Sequence, residues 1–319
     1  MRQQTLASQA SFEKFGRKGK RELFLDQMNQ VVPWSELLAL VEPHYPRAGN
    51  GRQPVGLSIK LRIYFLQHGF NFSDPGAEDA LYESAVLRRF TGVDLGRAAA
   101  PDETTILKFR HLLERDELCG KILDTVNLYL DRRGIRISTG TIVDATIIAA
   151  SSSRKNSQKE RDAEMHQTRK GNQDYFGAKA HIGVDSKEGI VHSVCTSEAS
   201  VSDVHRLPDL LHGDEKKVWG DAGYQGQTEK IHEAAPHAQD MTCRRRKTKD
   251  GVDEEQRRKN RNKSRVRAKV EWPFRILKRV FKYTKVRYRG LKKNREWLLT
   301  ALARVNLYQH RKRLAPLRA

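Results

Sequence analysis

The run TGTIVDATIIAA, Thr139 to Ala150, constrains the fold more than any other stretch. Ile142, Val143, Ile147 and Ile148 are β-branched, and so continuous a run reads as a strand buried on both faces. Such a strand needs a sheet beside it and further elements covering both sides. Asp144 stands in the middle of the run. Taking an ionised carboxylate out of water costs several kcal/mol unless a metal or a hydrogen-bonded partner offsets it. Asp144 is therefore either a strand-end residue capping a neighbouring turn or one part of a site that the rest of the chain completes.

Before this strand the pattern is helical. Residues 1–20 are polar and basic and lack the apolar stretch of a signal peptide. Residues 22–45 hold helical spacing broken at Pro33, and Ile59, Ile63, Leu66 and Phe70 repeat at helical spacing after Pro54 and Gly56. SDPGAEDALYESAVLRRF opens with Asp74 at a cap position and Pro75 at the first helical position. The helix from Asp102 to Glu114 opens in the same way, and another runs from about Glu117 to Arg133. Residues 22–133 thus read as four or five helices, which can present a recognition helix to DNA or serve as a scaffold or dimerisation element.

From Gly134 strands take over. A polar connector of about 23 residues follows the Asp144 strand, and its Arg154, Lys155, Lys159, Arg161, Arg169 and Lys170 either meet phosphates or are simply solvated. Tyr175–Asp185 and Ile190–Ala199 flank SKEG as a hairpin. Ser202–Gly213 reads as a helix capped by Ser202 or Asp203, and KKVWGDAGYQG as a short strand ending at Asp221. A helix over Gln227–Ala235, a short strand over 240–245 and a charged connector over 248–263 come next. The order predicts a mixed sheet with helices packed on it.

The chain's 319 residues suit two domains, or one core domain with a helical extension. The formal charge of +21 is segregated: residues 243–319 hold 28 Lys and Arg against 6 Asp and Glu, a net of +22, so residues 1–242 come to −1. Charge concentrated in this way points to a polyanion. Trp272, Phe274, Phe281, Tyr283, Tyr288, Trp297 and Tyr308 lie among the basic residues and indicate a folded surface rather than a solubilising tail. Cys119, Cys195 and Cys243 lack CxxC spacing, which fits a reducing cytoplasm and excludes a zinc ribbon or disulfide framework. No apolar run approaches the roughly 18 residues that a membrane span needs.

Ser264–Tyr283 reads as a helix with Val266, Val270, Phe274, Leu277 and Phe281 as its apolar stripe. At roughly 100° per residue, with Arg267 at zero, Glu271 falls at about 40° and Lys278 at about 20°. Glu271 is the only acid between Glu255 and Glu296. It is either half of an i,i+4 ion pair with Arg267, worth about 0.2–0.5 kcal/mol, or an acid aimed at a site. Pro273 should kink or restart the helix beside it. Asp144, Asp221 and Glu271 together suit phosphoryl transfer on DNA, in which two Mg²⁺ ions about 3.5–4 Å apart neutralise the attacking and leaving oxygens. Oxygen ligands from distant segments suit Mg²⁺ or Mn²⁺ better than zinc.

These residues stand within segments that resemble a known family. LRIYFLQ, SDPGAEDALYES, LRRFTGVDL and PDETTILKFRHLLE are similar to the helical N-terminal region of bacterial insertion-sequence DDE transposases of the insertion-sequence-five branch. IVDATII resembles their first-Asp strand, EMHQTRKGNQDYFGAKAHIGVD the segment after it and GDAGYQG their second-Asp motif. RAKVEWPFRILKRVFKYTKVRYRGLKKN resembles their Glu helix and its extension. The resemblance implies Asp144, Asp221 and Glu271 as the catalytic and metal-binding triad, with two Mg²⁺ (or Mn²⁺) ions. In the Tyr-x2-Arg-x3-Glu-x6-Lys signature of that Glu helix, Arg267, Glu271 and Lys278 match and Ser264 replaces the Tyr, leaving a hydroxyl but no ring to stack. Trp272 and Asp174 are further departures, without an assigned consequence.

The implied fold is α/β: a ribonuclease-H-like mixed sheet with flanking helices over residues 134–290, an all-helical N-terminal domain over 1–133 and a basic C-terminal helix over 291–319. The implied activity is binding of terminal inverted repeats, cleavage at the element ends and joining of the 3′-hydroxyl to target DNA, with no covalent protein–DNA intermediate. Arg267, Lys278, Ser264, Arg275, Lys285, Arg287 and Arg289 are the expected DNA contacts. The expected partner is double-stranded DNA, bound by a homodimer, with no membrane and no small-molecule substrate, in the bacterial cytoplasm at the nucleoid. A catalytically silent DNA-binding derivative, or a nuclease that cuts without joining, shares these features.

Overall fold

The computed structural model describes residues 17–315 apart from 52, 156, 158, 246, 249, 250 and 253, with backbone only at 247, 248, 251 and 252. Most of the polar N-terminal stretch and the last four residues of the expected C-terminal helix lie outside that range. Helices α1 (Lys20–Val31) and α2 (Trp34–Val41) part at Pro33, as its missing N–H requires. Then come α3 (Leu57–Phe70), α4 (Asp74–Glu83), α5 (Ala85–Thr91), α6 (Glu103–Arg115) and α7 (Leu118–Arg132). The single helix expected over 73–90 is thus two. Ser84 is extended and its hydroxyl accepts from Leu87 N, so it ends one helix and caps the next. The cap of α4 is Ser73, whose Oγ accepts from Gly76 N at 3.0 Å, and Asp74 sits inside the first turn instead. Asp102 caps α6 as expected, accepting from Thr105 N at 2.6 Å.

The main sheet comprises β1 (Gly140–Ala149), β2 (His166–Lys170), β3 (Gln173–Asp185), β4 (Val191–Glu198), β5 (Lys217–Trp219) and β6 (Gln239–Asp240). β1 is antiparallel to β3, with Asp144 opposite Ile182, and parallel to β5, with Ile142 opposite Trp219. β2 and β4 share the far edge of β3, and β6 lies parallel outside β5. The connector after β1 is therefore not structureless, since β2 forms within it. Gly177, where β3 passes from β2 to β4, has no room for a side chain: a Cβ there would lie 2.1 Å from Ile148 O.

Other expectations change as well. The segment over Ser202–Gly213 is two 3₁₀ turns, Asp203–Arg206 and Pro208–Leu210, because Pro208 cannot donate a helical hydrogen bond. The strand expected over 240–245 shrinks to β6. The charged connector holds a two-stranded ladder, β7 (Lys247–Thr248) with β8 (Gly251–Val252), before helix α9 (Glu254–Arg267), which begins ten residues earlier than expected. Glu254 and Glu255 occupy its first turn, where the helix dipole favours acids, and pair with Arg257 and Lys259. α8 (Thr228–Ala234) is where it was expected. After α9 the chain makes a 3₁₀ turn (Ala268–Val270), then α10 (Glu271–Arg275) and a π turn (Ile276–Val280). This irregularity brackets Pro273, in line with the expected kink near Glu271.

Side chains on β1 alternate between two cores. Ile142 and Ile148 join Val270, Phe274, Ile276 and Leu277 on one side, and Val143 joins Leu207, Leu210, Val218, Tyr224 and Ile231 on the other. Asp144 is on the side facing α9 and α10. The last helix, α11 (Leu291–Leu314), lies within the expected basic C-terminal helix and is the central pillar of the packing. Trp297, Leu298, Ala301, Leu302 and Val305 are buried, and the helix packs on α7, β4 and α1. Trp297 is stacked between His68 and Tyr283. Asn306 donates to Asn127 Oδ1 and to Val191 O, both at 2.8 Å, tying α7 to β4. Met28, Phe65 and Ile122 of the helical region share one apolar cluster with Ile142 and Ile182 of the sheet. Among the described residues no helix is long and apolar enough to cross a membrane.

Candidate active site

Three elements carry the acids to one place. β1 projects Asp144 toward the α9–α10 layer. β5, parallel beside it, ends at Trp219, and the chain then reaches Asp221, whose Oδ1 accepts from Gly223 N at 2.8 Å and so caps the 3₁₀ turn Ala222–Tyr224. Glu271 opens α10. All three carboxylates line a cavity of about 890 Å³. Lys170, Arg267, Arg275, Lys278 and Arg279 supply its positive charge.

Asp144 does not cap a turn. Among the described residues its Oδ1 accepts only from Ala145 N, at 2.8 Å on its own strand. Burial pushes its pKa up to about 6; the Ala145 N–H and Arg267 pull it down, while Asp221 and Glu271 add to the rise. Arg267 Nη1 lies 3.4 Å from Asp144 Oδ2 and 3.5 Å from Glu271 Oε1. The i,i+4 pair exists, but the same guanidinium also bridges to the first acid. Glu271 is 61% exposed and Asp144 only 18%, so the rim acid is the one free to move.

Lys278 is anchored to the strand: its Nζ donates to Thr146 Oγ1 at 2.6 Å and to Ile147 O at 2.8 Å. Burial, with help from Lys170, lowers its pKa. Arg275 lines the cavity and lies over the exposed Trp272 ring at 5.6 Å. Ser264 is exposed and lines an adjoining cavity, which also takes in Asp221 and Arg267. Lys285, Arg287 and Arg289 are not brought to the carboxylates. Lys285 is exposed next to the end of β1, Arg287 is held by Asn71 O and Oδ1, and Arg289 Nη2 donates to Arg161 O at 3.4 Å. Sequence reasoning did not single out Thr146 or Arg279. Thr146 could have been found as the residue two beyond Asp144, on the same strand face; nothing in the spacing marks Arg279.

Among the described residues no three His, Cys, Asp or Glu side chains already stand close enough to hold a metal ion. The donor set nonetheless fits one in kind. Three oxygen-only side chains face one cavity, burial raises the Asp144 pKa with a smaller push from the other two acids, and a single cation, the Arg267 guanidinium, already bridges two of them.

Residues 136–307, which include all three acids, match the family model described as Transposase DDE domain. Residues 11–112 match a second, described as a Transposase domain. No solved structure matches the chain. With more than half of its length covered by the first model, the chain belongs to the DDE transposase family, enzymes that act on DNA.

Proposed function

We propose that this protein binds the terminal inverted repeats of an insertion sequence of the insertion-sequence-five type, cuts DNA at the element ends and joins the 3′-hydroxyl to target DNA. The observation that carries this reading is the meeting of Asp144, Asp221 and Glu271, from three distant parts of the chain, in one cation-rimmed cavity. Bound divalent ions, Mg²⁺ or Mn²⁺ held by those three residues, would neutralise charge on the attacking and leaving oxygens. Arg267 releases Glu271 and Asp144 to that role and turns its fork to a phosphate, a bidentate match to its geometry. Lys278 has its amine fixed by Thr146 and Ile147, so it presents a positioned charge to the backbone near the cut. Lys170, Arg275 and Arg279 extend that charge along the rim.

The strand order, with β1 antiparallel to β3 and parallel to β5, supports a ribonuclease-H-like catalytic domain over 134–290. Residues 1–133 would recognise the repeats and help to pair two ends in a homodimer, and 291–319 would form the third part, in a bacterial cytoplasmic, nucleoid-associated setting. The test incubates the protein and Mg²⁺ with a duplex bearing the inverted repeats that flank its coding region, together with target plasmid. The expected products are ends with free 3′-hydroxyls and covalently joined target. Cutting without joining would reduce the reading to a nuclease, and binding without cutting in either Mg²⁺ or Mn²⁺ would overturn it.

A further inference from the structure

The first turns of α9, which the sequence disguises as a connector, build a second cavity of about 860 Å³. Asp221 and Arg267 line both this cavity and the catalytic one, so the two meet at those residues. One wall is the segment after β6, carrying Cys243 and Arg244. That wall is pinned in place: buried Asn260 donates to Arg244 O at 2.7 Å and accepts from Arg244 N at 3.2 Å, and Lys263 Nζ donates to Thr242 O at 2.8 Å. The other wall is a face of α9. Arg257, Arg261, Ser264 and Arg267 follow one another at three- or four-residue spacing, so they stack along one stripe that continues to Glu271.

Arg244, Arg258 and Arg261 also line the cavity; they are exposed, and no acid pairs with them among the described residues. Arg257 is paired with exposed Glu254, which also lines the trough, a contact of the kind that contributes little. The exposed forks of Arg244, Arg258 and Arg261, beside the weakly paired Arg257, fit a phosphodiester backbone, where each fork can take two phosphate oxygens. From Arg257 to Arg267 the helix rises about 15 Å at 1.5 Å per residue. That length spans about four nucleotides at roughly 3.4 Å per nucleotide of one strand.

We propose that this trough is a DNA-backbone groove that receives about four nucleotides on one side of the scissile phosphodiester and leads them past Arg267 and Asp221 to the carboxylates. The proposal rests on the transposase reading of the neighbouring cavity and adds the path of the strand. The test compares full-length wild type with the triple variant Arg244→Gln, Arg258→Gln, Arg261→Gln. A charge-matched control carries Lys216→Gln, Lys217→Gln and Lys230→Gln, with Lys216 and Lys217 at the end of β5 remote from Asp221. The probe is a short duplex of arbitrary sequence, titrated between about 50 and 200 mM salt.

Loss of three phosphate contacts should lower the slope of log K against log salt by about 2–3 and weaken binding at about 0.1 M salt by roughly tenfold or more. The control should retain the wild-type slope. A trough variant indistinguishable from the control, while wild type binds in a salt-dependent way, would overturn the groove and leave the transposase reading standing. A wild type without salt-dependent DNA binding would overturn that reading and the groove with it. The readout is binding, so it does not depend on cleavage.

Discussion

Replacing Asp144 by Asn is expected to abolish Mg²⁺-dependent strand cleavage while making the metal-free protein more stable at neutral pH. Asn keeps the side-chain shape and the oxygen that accepts the Ala145 N–H at 2.8 Å. It removes a charge that burial disfavours and that Asp221 and Glu271 repel, as the rise of the carboxyl pKa from 3.8 to about 6 indicates. A carboxyl with a raised folded pKa destabilises the folded state above that pKa, so its neutral isostere should raise the thermal midpoint at pH 7. The activity should move the other way. A ligand that helps to hold a catalytic metal supports several kcal/mol of transition-state stabilisation. At about 1.36 kcal/mol per tenfold, its loss should slow cleavage by about a thousandfold or more. Thermal unfolding and a cleavage assay on the same preparation separate this from misfolding. Cleavage within tenfold of wild type would remove Asp144 from the site.

Acidification should unfold the protein between about pH 6.5 and pH 4, through histidines rather than the catalytic acids. His68 and His181 are fully buried, and burial drives their pKa values down to about 3 and about 4. His68 faces the Tyr64 and Trp297 carbonyls, which favour the proton, but burial and the nearby Arg304 outweigh them. For His181, Asp203 only partly offsets burial. Partly buried His192 is lowered to about 4, by burial and then by His212. The sign follows directly. The unfolded chain protonates these rings below about pH 6.5 and the folded chain does not until about pH 4, so stability falls as pH drops through that window. Each ring contributes up to about 1.4 kcal/mol per pH unit there. Asp144 acts in the opposite sense below its pKa of about 6 and offsets about one ring. Urea midpoints measured from pH 7 to pH 4 should therefore fall steeply, and His68→Gln should flatten the curve. A flat profile across the window would contradict these assignments.

How much of this could be read in advance depends on where each residue's signal lies. Asp144 was visible because one acid interrupts a β-branched run, and Glu271 because one acid survives in a basic stretch. Asp221 was visible through the short apolar strand before it and the glycines around it. The start of α9 was hidden because Glu254–Arg265 has almost no apolar residues, so no stripe marks its period; local ion pairs support that helix instead. α11 was expected as a helix, but its burial was hidden for the converse reason. Its ends are basic, and its buried Arg304 and Asn306 find acceptors on other elements, at Phe65 O and Val191 O. β2 was hidden because it is mostly exposed and exists only by pairing with the start of β3. The anchoring of Lys278 to Thr146, and of Arg287 to Asn71, depends on contacts more than 130 residues apart in sequence and leaves no local trace.

The central claim is that Asp144, Asp221 and Glu271 act together on divalent ions. Calorimetric titration of Mn²⁺ into wild type and into Asp144→Asn, Asp221→Asn and Glu271→Gln tests it most directly. The expected result is binding by wild type and a loss of affinity of at least about tenfold in every variant, since removing a ligand should cost no less than removing a residue that only supports one. Any one of the three variants binding Mn²⁺ as wild type does would contradict it.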